Sequence, residues 1–292
     1  MPNKKGNSQY KLLAEKWTNR HRNLQSEIFD KHKDAFKWIA DNSKQLAVGS
    51  LASIFLLASP AAIKVPNFIS TTSAQVTQAI DKKVFLVYDL KNVLPNDVRP
   101  LTADEEKSVA EVLTRDFGMQ VSAELGGKRL NTSYGLIGQE QHLPRFPGDN
   151  IVTHFNNNTE ADKYWSYGVT PGLGAWGYFT DSAATLTQKD IDREKYYIAV
   201  QTFLAPGWDG HVKEYVDFFK YRKMLVVNPQ NGKAMVTDIA DAGPSPWTGK
   251  QLGGSPEVMN YLERFDGAQR GPVLYFFIDD PNDTIPLGPV EY

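Results

Sequence analysis

Eighteen consecutive residues, Leu46 to Ile63, carry no charge, and Lys44 and Lys64 bracket them. An α-helix needs about 20 largely apolar residues to cross a bilayer, so this run is just long enough to span one. It divides the chain before any fold is considered. Ten Lys/Arg against five Asp/Glu precede it, whereas 21 against 29 follow Lys64. Basic flanks are retained on the cytoplasmic side, which predicts a single-pass cell-membrane protein with its amino end inside and its acidic bulk exported. Two alternatives stay open, a buried core helix and a cleavable signal peptide. Ser59-Pro60-Ala61 has the small residues of a cleavage site, but the 45 residues ahead are long for an n-region, which favours an uncleaved signal anchor.

The rest of the chain then divides by pattern. Residues 1–45 contain a Gly- and Pro-free stretch, Tyr10 to Asn42, with Leu13, Trp17, Leu24, Ile28, Ala35 and Ile39 near helical spacing, an amphipathic cytoplasmic helix. Residues 46–64 are the anchor and 65–82 a Ser/Thr/Ala/Gln-rich tether. Residues 83–165 form a small α/β region. Lys83 to Leu90 reads as a strand, Thr102-Ala-Asp-Glu105 has capping-box spacing and opens a helix to Phe117 before Gly118, and Met119 to Leu125 returns as a strand. Asn131 to Asn158, which includes Gln139 to Asp149, has no clear period and reads as a connector or an ordered flap.

From 166 to 292 the strand density rises: Gly174 to Thr180, Tyr196 to Leu204, Lys223 to Val227, Lys233 to Ala240 and Pro272 to Asp279. A helix enters with Ser255 as N-cap and Pro256 at the first helical position. The fold class is α+β, and short strands with one inserted helix suit a small closed barrel.

The hairpin Met224–Val227, Asn228-Pro-Gln-Asn-Gly232, Ala234–Ala240 delivers Asp241 to a turn ending in Gly243-Pro244. Asn228, Asn231-Gly232-Lys233, the strand to Ala240, Asp241 with Gly243-Pro244, and Ser255-Pro256-Glu257 follow one another in an order that resembles the double-psi β-barrel domains of rare lipoprotein A, expansin-like proteins and peptidoglycan lytic transglycosylases. Ala240 and Ala242 stand where that family has Asn and Arg. Gly253 replaces an Asp, and Tyr215 occupies the place of a His, the nearest being His211. The resemblance implies a six-stranded double-psi barrel acting on peptidoglycan glycan strands, with one acid that protonates the glycosidic oxygen and accepts a hydroxyl proton as an anhydro sugar closes. A non-catalytic wall-binding or scaffold module, or a surface for envelope protein partners, is the alternative.

Asp241 is the first catalytic candidate and Asp238 the second. A regular strand would place them on opposite faces, so a two-carboxylate glycosidase would need a bulge between them. Burial near Ile239, Pro244 and Trp247 would keep Asp241 protonated; the competing reading is a turn Asp that caps the backbone near Gly243. Trp247, Trp176 and Trp208 are candidates for stacking on sugar rings, with His211 as a further substrate contact, although strand aromatics more often serve cores. His211 has no partner His at ligand spacing, and Asp279 to Asp283 lacks EF-hand order, so neither metal nor cofactor is expected. Without cysteine there is no disulfide or thiol nucleophile, and no phosphate-loop, Gly-x-Ser-x-Gly or His-Glu-x-x-His pattern occurs. The acidic exported part makes nucleic acid an unsuitable partner.

Overall fold

The computed structural model describes residues 72–264 and 270–291, the first ten as backbone alone. The amphipathic stretch Tyr10–Asn42 and the apolar run Leu46–Ile63 lie outside them. Among the described residues no helix is long and apolar enough to cross a membrane.

Helix α1 (Thr72–Val93) replaces both the end of the expected tether and the expected strand Lys83–Leu90. The local composition of that strand is β-prone, but Leu86 and Leu90, four apart, are fully buried, while Val84, Phe85 and Tyr88 face outward. Burial on one helical face overrides the propensity. Helix α2 (Ala103–Phe117) begins and ends where the sequence predicts. Thr102 Oγ1 accepts from the Glu105 amide, Glu105 accepts from the Thr102 amide, and Gly118 closes the helix at φ 66°.

Strands β1 (Val121–Ser122), β2 (Glu124–Leu125) and β3 (Lys128–Arg129) follow, then β4 (Tyr134–Gln139). β4 corrects the aperiodic reading of Asn131–Asn158. Its two glycines hide the alternation because they admit the Gln251 and Lys250 side chains, which a Cβ at Gly135 or Gly138 would meet at 2.8 and 2.1 Å. Next come α3 (Asn158–Tyr164), α4 (Gln188–Lys195), β5 (Tyr197–Val200), α5 (Val212–Phe219), β6 (Lys223–Val227), β7 (Ala234–Ala242), β8 (Leu252–Gly254), α6 (Pro256–Leu262), β9 (Arg270–Ile278) and β10 (Gly288–Pro289). Gly174–Thr180, expected as a strand, is instead a turn: Gly177 lies at φ 82° and donates to the Gly174 carbonyl, while Phe179 and Thr180 donate to Arg145.

Six strands close into a mixed barrel, in circuit β9-β4-β8-β5-β7-β6 and back to β9. The β4/β8 and β5/β7 pairs are parallel and the other four antiparallel. Closure leaves no open edge in this circuit. The barrel draws its first strand, β4, from the segment ahead of residue 166. Inward residues Ile137, Ile198, Val226, Met235, Ile239 and Phe277 form the core with Phe219 of α5 and Val258 of α6. On the outer face, Leu225, Val236, Leu274 and Phe276 pack with Leu86, Leu90, Val109 and Leu113 of α1 and α2.

Candidate functional site

The register between β5 and β7 decides where the two acids point. Tyr197 pairs with Asp238 and Ile198 with Ile239, but Ala199 pairs with Asp241, so Ala240 is the extra residue of a bulge. Ile239 packs in the barrel interior, whereas Ala240 packs outside with Tyr197 and Leu143. Asp238 and Asp241 are therefore opposite alternate residues of β5 and share the outer face of the barrel, which a regular strand would forbid.

Asp241 is held at one oxygen. Its Oδ1 accepts hydrogen bonds from the Ala175 amide at 2.7 Å and the Ala242 amide at 2.8 Å. Among the described residues Oδ2 has no hydrogen-bond partner, and the residue is part-exposed. Burial pushes the carboxyl pKa above the usual Asp value, and the two amide donors only partly offset this. The covering residues differ from those expected. Ile239 faces the other way and Trp247 is 86% exposed, whereas the segment that meets the carboxylate is that of Ala175.

Asp238 is wholly buried and, among the described residues, neither oxygen has a side-chain hydrogen-bond partner; Arg193 Nε is 3.6 Å away. Burial drives its pKa well up, with Arg193 opposing. It borders a cleft of about 360 Å³ with Lys189, Arg193, Tyr221 and Lys223, where the Arg193 guanidinium lies 4.1 Å from the Tyr221 ring. Asp241 is not among that cleft's lining residues.

The aromatic candidates separate. Trp176 donates its indole N–H to the Ile239 carbonyl at 2.9 Å and packs against the core, on the segment that also bonds Asp241. Trp208 and His211 gather around Tyr215, with ring centroids 6.2 and 6.5 Å from it, and His211 Nδ1 lies 3.3 Å from the Gly207 carbonyl oxygen. Trp247 follows the Asp241 turn and stands in solvent.

A second cluster has no counterpart in the sequence reading. Glu194, in the last turn of α4, is completely buried with His142, Arg145 and His154 around it. Its Oε1 lies 3.1 Å from His142 Nδ1 and accepts from the Leu143 amide. Oε2 accepts from Arg145 Nε and Nη2 at 3.0 and 2.8 Å and lies 3.1 Å from His154 Nε2. Asp149 Oδ2 is 2.9 Å from the other His154 nitrogen. Burial opposes charge on His154, but the bonds to Asp149 and Glu194 outweigh it and hold the pKa at about 9. Burial also opposes charge on Glu194, yet the two imidazoles keep its pKa well below the usual value. Glu257, in the first turn of α6, is pushed up to about 7 by burial. The sequence signal is faint: His142, Arg145, Asp149 and His154 fall within one short stretch, but Glu194 comes 40 residues later and follows no spacing rule.

No family model, curated protein or solved structure matches the chain.

Proposed function

We propose that the barrel is a double-psi domain that cleaves peptidoglycan glycan strands as a lytic transglycosylase, with Asp241 as the single general acid and base, in a protein anchored by Leu46–Ile63 with this domain outside the cell membrane. The carrying observation is the state of Asp241: one oxygen pinned by two backbone amides, the other without a hydrogen bond among the described residues, and a raised pKa. Such a carboxyl is oriented and carries its proton further towards neutral pH than a solvated Asp. In the proposed reaction the Asp241 proton goes to the glycosidic oxygen as the C1–O bond breaks. The sugar's own C6 hydroxyl then bonds to C1 and gives its proton back to the carboxylate, so a 1,6-anhydro end forms without water. Two parallel strand pairs in a six-stranded mixed barrel support the double-psi assignment.

The test is incubation of the full-length protein in detergent with purified peptidoglycan, with products identified by mass spectrometry. Anhydro-muropeptides are expected, and Asp241→Asn should slow their release roughly a hundredfold or more, the usual weight of a general acid. Release by the variant at the parent rate would remove Asp241 from the role.

The exposed Trp247 favours a second reading, a wall-binding module without chemistry, since an unsheltered indole beside the turn is suited to stacking on sugar. Cosedimentation with peptidoglycan that is lost in Trp247→Ala, with no anhydro product from the parent, would select it.

A further inference from the structure

The buried cluster between α4, α6 and the segment after β4 holds donor atoms in an arrangement that hydrogen bonding alone does not complete. We propose that His142, His154 and Glu194, with Glu257 as fourth donor, form a structural site for a divalent transition-metal ion of the zinc class.

Distance is the first argument. One nitrogen of each histidine and a Glu194 oxygen lie within 4.8 Å of one another, and all three residues are buried. The separations are 3.1 Å from His142 Nδ1 to Glu194 Oε1, 3.1 Å from His154 Nε2 to Glu194 Oε2, and 3.8 Å from His142 Nδ1 to Glu257 Oε2. Donors bound at about 2.0–2.1 Å around a tetrahedral ion stand roughly 3.3 Å apart; the 3.1 Å pairs already match this, and the wider ones, within 4.8 Å, would close in around the ion.

The second argument is the unpaired state of Glu257. Glu257 Oε2 is buried without a hydrogen-bond partner, and it faces the same His142 nitrogen. A buried carboxylate oxygen left unpaired is costly, and an ion bound at His142 Nδ1 would give it a partner.

The supporting shell is also in place: Asp149 would orient His154 through Nδ1, and Arg145 and the Leu143 amide would hold Glu194. As the ion enters, His154 would release the proton facing Glu194 to solvent and keep the one facing Asp149, while the His142 ring proton would sit on Nε2, leaving Nδ1 to bind.

The full-length protein, purified in detergent without a histidine tag and stripped with chelator, is titrated with Zn²⁺ and with Co²⁺. One equivalent per chain, a rise in melting temperature of several degrees and the visible bands of tetrahedral Co²⁺ are expected. Glu257→Gln, which keeps the shape, should weaken binding roughly tenfold or more. His154→Gln should abolish the Co²⁺ bands. A folded parent that takes up neither ion and melts unchanged overturns the proposal, as does unaltered affinity in both variants. Should a variant fail to fold, the parent's Co²⁺ spectrum decides: bands of a tetrahedral site support the assignment, and octahedral aquo-ion bands reject it.

Discussion

Inside the barrel, Ile198, Val226, Ile239 and Phe277 pack as apolar surfaces, whereas outside it Arg145, His142, His154 and Glu194 are equally buried and joined by directed polar bonds. Apolar packing tolerates small rearrangements, because its energy scales with area. A buried ionic cluster does not, since a missing partner leaves an uncompensated charge in a low-dielectric interior. The two regions should fail differently, and the barrel should survive loss of the outer segment's order more readily than the reverse.

The largest expected effect is on the barrel. Phe277→Ala should remove about 3–5 kcal/mol from global stability by opening a cavity, read as a lower midpoint of a single denaturant transition. Glu194→Ala should cost about 3 kcal/mol by stranding Arg145 and His154. Its signature should be local: amide exchange accelerates across residues 142–180 while β6, β7 and β9 stay protected. Equal acceleration in both places would break the comparison and make them one cooperative unit.

Asp238 sharpens it further, as a buried acid faced by Arg193 Nε at 3.6 Å. Its folded pKa is raised, so between the unfolded value near 3.9 and the folded value the native state holds the extra proton, and stability falls as pH rises. Relative to Asp238→Asn, the parent should lose at most about 1.4 kcal/mol per pH unit above pH 4, and nothing below it. Parallel pH profiles of the two proteins would show that Asp238 is ionised in the fold. The smallest change lies in neither region: Thr102→Ala removes a cap on α2 and should cost about 1 kcal/mol in thermal stability.

The legible parts of this fold are those written within a few residues. The Thr102/Glu105 capping box, the Asn231-Gly232 turn between β6 and β7, and the Ser255-Pro256 start of α6 are local, and the structure places all three where the pattern does. The misread parts are settled at a distance. Helix α1 was hidden because Leu86 and Leu90 are chosen by α2 and the outer sheet, and β4 because Gln251 and Lys250 fill the space its glycines leave. Asp241 stands out through its turn, but one of the two amides that hold it belongs to Ala175, 66 residues away. The Glu194 cluster was invisible for the same reason, since its members meet only after β4, α4 and β5 are in place.

Ala240 has a consequence larger than its side chain. As the residue without a counterpart on β5, it acts as a parity device: with it, both acids emerge on one side, and without it the second would turn into a hydrocarbon interior already filled by Ile239 and its neighbours. Residue identity at 240 is open to change within the limits of packing, but chain length between 238 and 241 is not. Evolution of this strand should therefore accept substitutions and reject single-residue deletions.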